Sequence, residues 1–120
     1  MRIVIVDDSP AIRDCFRWIL ATDSYELTIY PSGTPILNGD YSVPDVFIVD
    51  KQLSGVDGLD VCRFLKSQEE TRDVPIIILS ASPNIKMLAR NAGADGILEK
   101  PFQAKALKEM VDKFVVDKVN

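Results

Sequence analysis

The chain contains no histidine at all. That one absence excludes serine triads with a histidine base, a self-carried phosphohistidine and zinc held by imidazole. Cysteine is nearly absent too: Cys15 and Cys62 lie far apart with no C-x-x-C spacing. Two thiols cannot form a four-thiolate zinc site, and both are expected to be reduced and buried. No apolar run approaches the ~20 residues that span a bilayer, and no charged leader precedes a long apolar stretch. A cytosolic protein, or a cytosolic domain, is the expectation, with no membrane insertion. Fourteen basic residues against eighteen acidic ones give a net charge of −4. A direct nucleic-acid footprint would need a basic face, so none is expected. The sequence also lacks G-x-x-x-x-G-K-[ST] and G-x-G-x-x-G, which removes P-loop and dinucleotide-binding readings.

What is present is an ordinary globular mixture, 47% apolar and 27% charged in 120 residues, a length that suits one domain over residues 1–120. Three β-branched runs are apolar at every position: Ile3-Val4-Ile5-Val6, Val46-Phe47-Ile48-Val49 and Ile76-Ile77-Ile78-Leu79. Such runs suit strands covered on both faces of a parallel sheet. Tyr25–Tyr30 alternates more, as an edge strand does, and Gly96–Leu98 is a short fifth candidate. Helical spacing fills the intervals. Ser9-Pro10 opens a helix with the stripe Ile12, Cys15, Phe16, Ile19 and Leu20, leaving Trp18 off it. A short helix is expected over Thr34–Leu37. Asp57-Gly58 precedes a helix running to about Ser67. Ser82-Pro83 begins another that Gly93 ends, and the last runs from Gln103 to about Val116. Strict alternation of strand and helix predicts a doubly wound α/β sheet with right-handed crossovers.

Ligand sites of open α/β sheets lie beyond the carboxyl ends of the strands. Asp7 and Asp8 follow the first of the five strand candidates, Asp50 the third and Ser80 the fourth, and Glu99 and Lys100 the fifth; Glu99 is set aside. Three carboxylates on one rim repel unless a cation separates them, and a hard oxygen-rich set suits Mg²⁺. With an ammonium and a hydroxyl beside them, they describe a phosphoryl site with a carboxylate nucleophile. Asp50-Lys51-Gln52-Leu53-Ser54-Gly55 has the opening cadence of an EF-hand loop. Its twelfth position is Val61 instead of Glu, and a strand precedes it, so that reading fails.

These residues resemble the receiver domain of two-component response regulators over the whole chain. The resemblance rests on Asp7-Asp8, Asp50 through Asp57-Gly58, Val74-Pro75 through Ser80-Ala81, Ala92-Gly93-Ala94-Asp95-Gly96 and Lys100-Pro101-Phe102. It implies a (βα)5 flavodoxin-like three-layer sandwich with five parallel strands in the order 2-1-3-4-5. It implies that Asp50 accepts the phosphoryl group, and that Asp8, Asp50 and the Gln52 backbone carbonyl bind Mg²⁺, with Asp7 acting through water. Ser80 and Lys100 would each hold a phosphoryl oxygen, and the Lys100-Pro101 peptide would be cis. The donor would be a phosphohistidine on a sensor histidine kinase or a histidine phosphotransfer protein, in keeping with the missing histidine. Output would pass through the surface to a partner protein, and Gln52 and Ser82 would flank the phosphoryl site.

The chain departs from the family pattern at Ser54, where Pro is usual, at Val56, where Met is common, and at Ile97, where an aromatic switch residue is usual. The stretch from Gly33 to Pro44 is short for the second helix. Two rivals remain on the residues. A pseudo-receiver would dock without phosphorylation, which an intact Asp8, Asp50, Ser80 and Lys100 argue against. An aspartyl phosphatase or mutase would need Asp-x-Asp after the first strand, where this chain has adjacent aspartates.

Overall fold

The computed structural model describes residues 1–20 and 24–119. Five parallel strands form the central sheet: β1 (Arg2–Val6), β2 (Glu26–Tyr30), β3 (Val46–Asp50), β4 (Ile76–Ser80) and β5 (Gly96–Glu99). Their spatial order is β2-β1-β3-β4-β5, the expected doubly wound arrangement. Every residue of β3 and of β4 is buried, which explains why both runs are apolar without alternation. β2 lies at the edge, and its mixed pattern follows from having one neighbour.

Side chains alternate across each strand, so each run feeds two cores. Ile3, Ile5, Ile48, Ile77 and Leu79 point to one face, where Phe16 and Leu20 meet Leu107 and Val111. The first pair comes from the α1 end, helix α1 being Pro10–Ile19, and the second from α5 (Ala104–Val119). Val4, Val6, Phe47, Val49, Ile76 and Ile78 point to the other. There they pack on α2 (Thr34–Leu37), α3 (Gly58–Ser67) and α4 (Lys86–Asn91) through Ile36, Leu59, Leu65 and Ala89. Burying each such aliphatic side chain stabilises the fold by about 1.5–3 kcal/mol, and the sheet is held by helices on both faces.

Ser9 caps α1, its Oγ accepting from Ile12 N at 3.4 Å, with Pro10 at the first helical position. Gly93, at φ +97°, follows the end of α4. Three details differ from the sequence expectation. Cys15 is exposed, because Ile12, Phe16, Ile19 and Leu20 already complete the apolar stripe and Cys15 falls beside it. Both thiols are free, Cys62 alone being buried, where it donates to Ala92 O at 3.4 Å. Ser82-Pro83 begins a single 3-10 turn, Pro83–Ile85, before α4 starts at Lys86. A two-stranded hairpin of Gln52–Leu53 and Val56–Asp57, unforeseen from the sequence, lies between β3 and α3. Trp18 is 85% exposed, as its place off the stripe requires. Among the described residues no helix is long and apolar enough to cross a membrane.

Candidate functional site

The carboxyl ends of β1, β3, β4 and β5 open on one rim. Their backbones stay paired just past the strands: Asp7 N donates to Tyr30 O at 3.1 Å, Lys51 N to Leu79 O at 2.8 Å and Lys100 N to Ser80 O at 2.8 Å. This continued register brings Asp7, Asp50, Ser80 and Lys100 to the same level. The Lys100-Pro101 peptide is cis.

Asp50 ends β3 and is only 6% exposed, and Asp7 is fully buried. The Lys100 ammonium lies 3.0 Å from Asp50 Oδ2 and 3.3 Å from Asp7 Oδ2. Asp7 Oδ1 accepts from Ser9 N at 2.9 Å, and Asp50 Oδ1 accepts from Gln52 N at 3.3 Å. Burial pushes the Asp50 carboxyl above its ordinary range; Lys100 opposes that, and the neighbouring Asp7 charge adds to it. Asp8 is half-buried, on the water side of the pair. Its Oδ2 accepts from Ser54 N at 3.1 Å and from Ser54 Oγ at 2.7 Å.

One oxygen from each of Asp7, Asp8 and Asp50 lies within 4.8 Å of the others. Three carboxylates against one contacting ammonium leave the cluster net negative. An all-oxygen set of this size and hardness fits Mg²⁺, which takes one or two carboxylates and keeps several waters. Gln52 stands beside it with its N–H already on Asp50.

Ser80 is 3% exposed and follows Leu79, the register partner of Asp50. Its Oγ accepts from Ser82 N at 3.0 Å and donates to Ser82 O at 3.4 Å, so the hydroxyl is turned toward its own loop. A cavity of about 300 Å³ opens there, lined by Lys51, Gln52, Ser80, Ala81, Ser82 and Asn84 among others.

Two positioning features escaped the motif reading. A Cβ on Gly58 would meet Asp50 O at 1.9 Å, so only glycine allows α3 to begin against the end of β3. Asp57 caps that helix through Leu59 N at 2.8 Å and holds Lys51 Nζ at 3.0 Å. The Asp-Gly pair signalled a helix start, but its closeness to Asp50 is a tertiary fact. Ile97 pairs in register with Ile78 and is half-buried against the core on the α3 side.

The response regulator receiver domain family matches residues 3–112. The response regulator MprA of Mycobacterium avium is 36% identical over 114 residues, covering 92% of this chain and 48% of that protein. The chain thus spans about half the length of the curated relatives it matches. Among solved structures, the receiver domain of a sensor histidine kinase from Pseudomonas aeruginosa, which carries a magnesium ion in its active-site cleft, superposes with a TM-score of 0.85. It is 26% identical and covers 95% of this chain and 96% of its own. The response regulator TrrA of Thermotoga maritima, solved with Mg²⁺ and BeF, gives a TM-score of 0.82 at 31% identity, covering 94% and 97%.

Proposed function

Because the chain belongs to the response regulator receiver domain family, we propose that it takes a phosphoryl group onto Asp50 in a Mg²⁺-dependent reaction. The observation that carries this assignment is the pairing of a buried Asp50 carboxylate with Lys100 at 3.0 Å, at the end of the central strand and inside a cluster of three carboxylates. The donor is a phosphohistidine on a sensor histidine kinase or a histidine phosphotransfer protein, since this chain has no histidine of its own.

A carboxylate oxygen of Asp50 attacks phosphorus, the O–P bond forms, and the N–P bond to the donor imidazole breaks with its electron pair left on nitrogen. Lys100, beside Asp50, holds one phosphoryl oxygen, and Ser80 donates to another after its hydroxyl turns from its own loop. Asp8, Asp50 and the Gln52 backbone carbonyl would hold the cation, and Asp7 would support it from the buried side of the cluster. When bound, Mg²⁺ supplies the positive charge that neutralises the phosphoryl oxygens in the transition state. Water later attacks phosphorus, the P–O bond to Asp50 breaks, and inorganic phosphate leaves with the Asp50 carboxylate restored. For Ser80 to reach a phosphoryl oxygen, its hydroxyl must leave Ser82. That rearranges the loop after β4 and changes the surface offered to an output protein.

A docking-only pseudo-receiver is not favoured, because the full constellation is assembled at one rim. Incubation with Mg²⁺ and acetyl phosphate, followed by intact mass, tests the assignment. The parent should gain one phosphoryl group and Asp50→Asn none. Equal labelling of both would refute Asp50 as the acceptor, and no labelling of the parent would favour docking alone.

A further inference from the structure

The hairpin after β3 ends in a two-residue turn, Ser54-Gly55, with Gly55 at φ +80°. Its base is anchored through Asp57, which caps α3 and pairs with Lys51, and buried Leu53 roots one leg. Its tip crosses 46 residues of sequence to reach Asp8, where Ser54 N and Ser54 Oγ both donate to the same oxygen, Oδ2. A carboxylate oxygen offers two lone pairs. Two donors at 3.1 and 2.7 Å occupy both, so Oδ2 is spent on the hairpin and Oδ1 is the oxygen left for a cation.

From this geometry we infer that Ser54 is a positioning residue for the metal site, which aims Asp8 by clamping its Oδ2. The inference rests on the Asp8 metal assignment above. Asp8 is half-buried on the water side of the cluster and would otherwise sample several rotamers. Held by the hairpin, it presents one oxygen in one direction, and the entropy of ordering the ligand is met before the cation arrives. Hydrogen-bond partners of ligating carboxylates typically set metal affinity by about 10–100-fold. Serine is the residue that makes this clamp; proline, lacking both N–H and hydroxyl, could make neither bond. The departure from the family pattern at this position therefore has a structural consequence at the metal site.

The test is isothermal titration of Mg²⁺ alone into the metal-free protein. Ser54→Ala keeps the backbone donor and should weaken Mg²⁺ binding by about 10-fold, the lower end of that range. Ser54→Pro should weaken it further, and Ser54→Thr, which keeps both donors, should bind like the parent. The Ser54→Ala effect should vanish when Asp8 is already Asn, because the clamped oxygen then no longer orients a charged ligand. A merely structural role would lower the metal-free melting temperature while leaving the dissociation constant in place. Unchanged or tighter Mg²⁺ binding by Ser54→Ala, or failure of Ser54→Thr to match the parent, overturns the inference. A parent that binds no Mg²⁺ refutes the metal-site reading itself, a distinguishable result.

Discussion

Asp8→Asn should make the metal-free protein more stable and the metal-loaded protein comparatively less so. One oxygen of each site carboxylate lies within 4.8 Å of the other two. Unit charges about 5 Å apart repel by about 3 kcal/mol at an effective dielectric of about 20. Lys100 contacts Asp7 and Asp50 and offsets their share, whereas Asp8 is on the water side and partly screened. Asparagine keeps a carbonyl oxygen for both Ser54 donors but loses the charge assistance, a loss of about 1 kcal/mol. The balance is a gain of about 1–2 kcal/mol, which for a chain of this size raises the melting temperature by about 4–8 °C. Mg²⁺ at 100 times its dissociation constant should stabilise the parent by about 2.7 kcal/mol, roughly 10 °C, and the variant far less. Scanning calorimetry in EDTA and at saturating Mg²⁺ should show the order of the two proteins reversing. A variant that melts at or below the parent in EDTA refutes the repulsion argument, and equal Mg²⁺ shifts in both remove Asp8 from the metal site.

Asp50→Asn should be more stable than the parent at neutral pH. The raised pKa of Asp50 means that its charge opposes folding there, and the parent regains stability as pH falls through that raised value toward the unfolded one near about 4. Lys100 keeps Asp7 as a partner in the variant. Urea unfolding along a descending pH series should show the variant's advantage narrowing; an advantage that grows on acidification would reverse the sign. Gly58→Ala drives a Cβ to 1.9 Å from Asp50 O, so α3 must shift, and a loss of about 3 kcal/mol or more is expected in urea unfolding, together with slower labelling by acetyl phosphate. Beryllofluoride, a phosphoryl mimic, should move amide resonances at Ala81–Asn84, because Ser80 must leave Ser82, and should move Ile97 little, since an aliphatic side chain stiff at χ1 replaces the usual aromatic ring. Large changes at Ile97 with a quiet loop would place the signal on another route.

Strand and helix order was legible in the sequence because each apolar run must be covered on both faces, and only a parallel sheet between helices does that for Ile3–Val6, Val46–Val49 and Ile76–Leu79. Asp7, Asp8, Asp50, Ser80 and Lys100 were legible for a related reason. Parallel strands deliver the residues that follow them to a common rim, so position after an apolar run is already position in space. The exposure of Trp18 and the stop at Gly93 needed only helical spacing and backbone conformation.

Other features are decided by contacts between segments distant in the chain. Cys15 has the composition of a core residue, and its exposure depends on where the sheet cuts the stripe of α1. The hairpin at Gln52–Asp57 is two residues per leg, too short to leave a periodic signal, and it forms because Asp57, Lys51 and buried Leu53 anchor it. Gly58 reads as a helix start until the end of β3 is placed 1.9 Å from its missing Cβ. Ser54 reads as an ordinary turn residue, and its reach to Asp8 exists only once β1 and β3 lie side by side. Periodicity records what each segment must bury. Which polar groups meet at the rim, and at what distance, is set by the packing of those segments against one another.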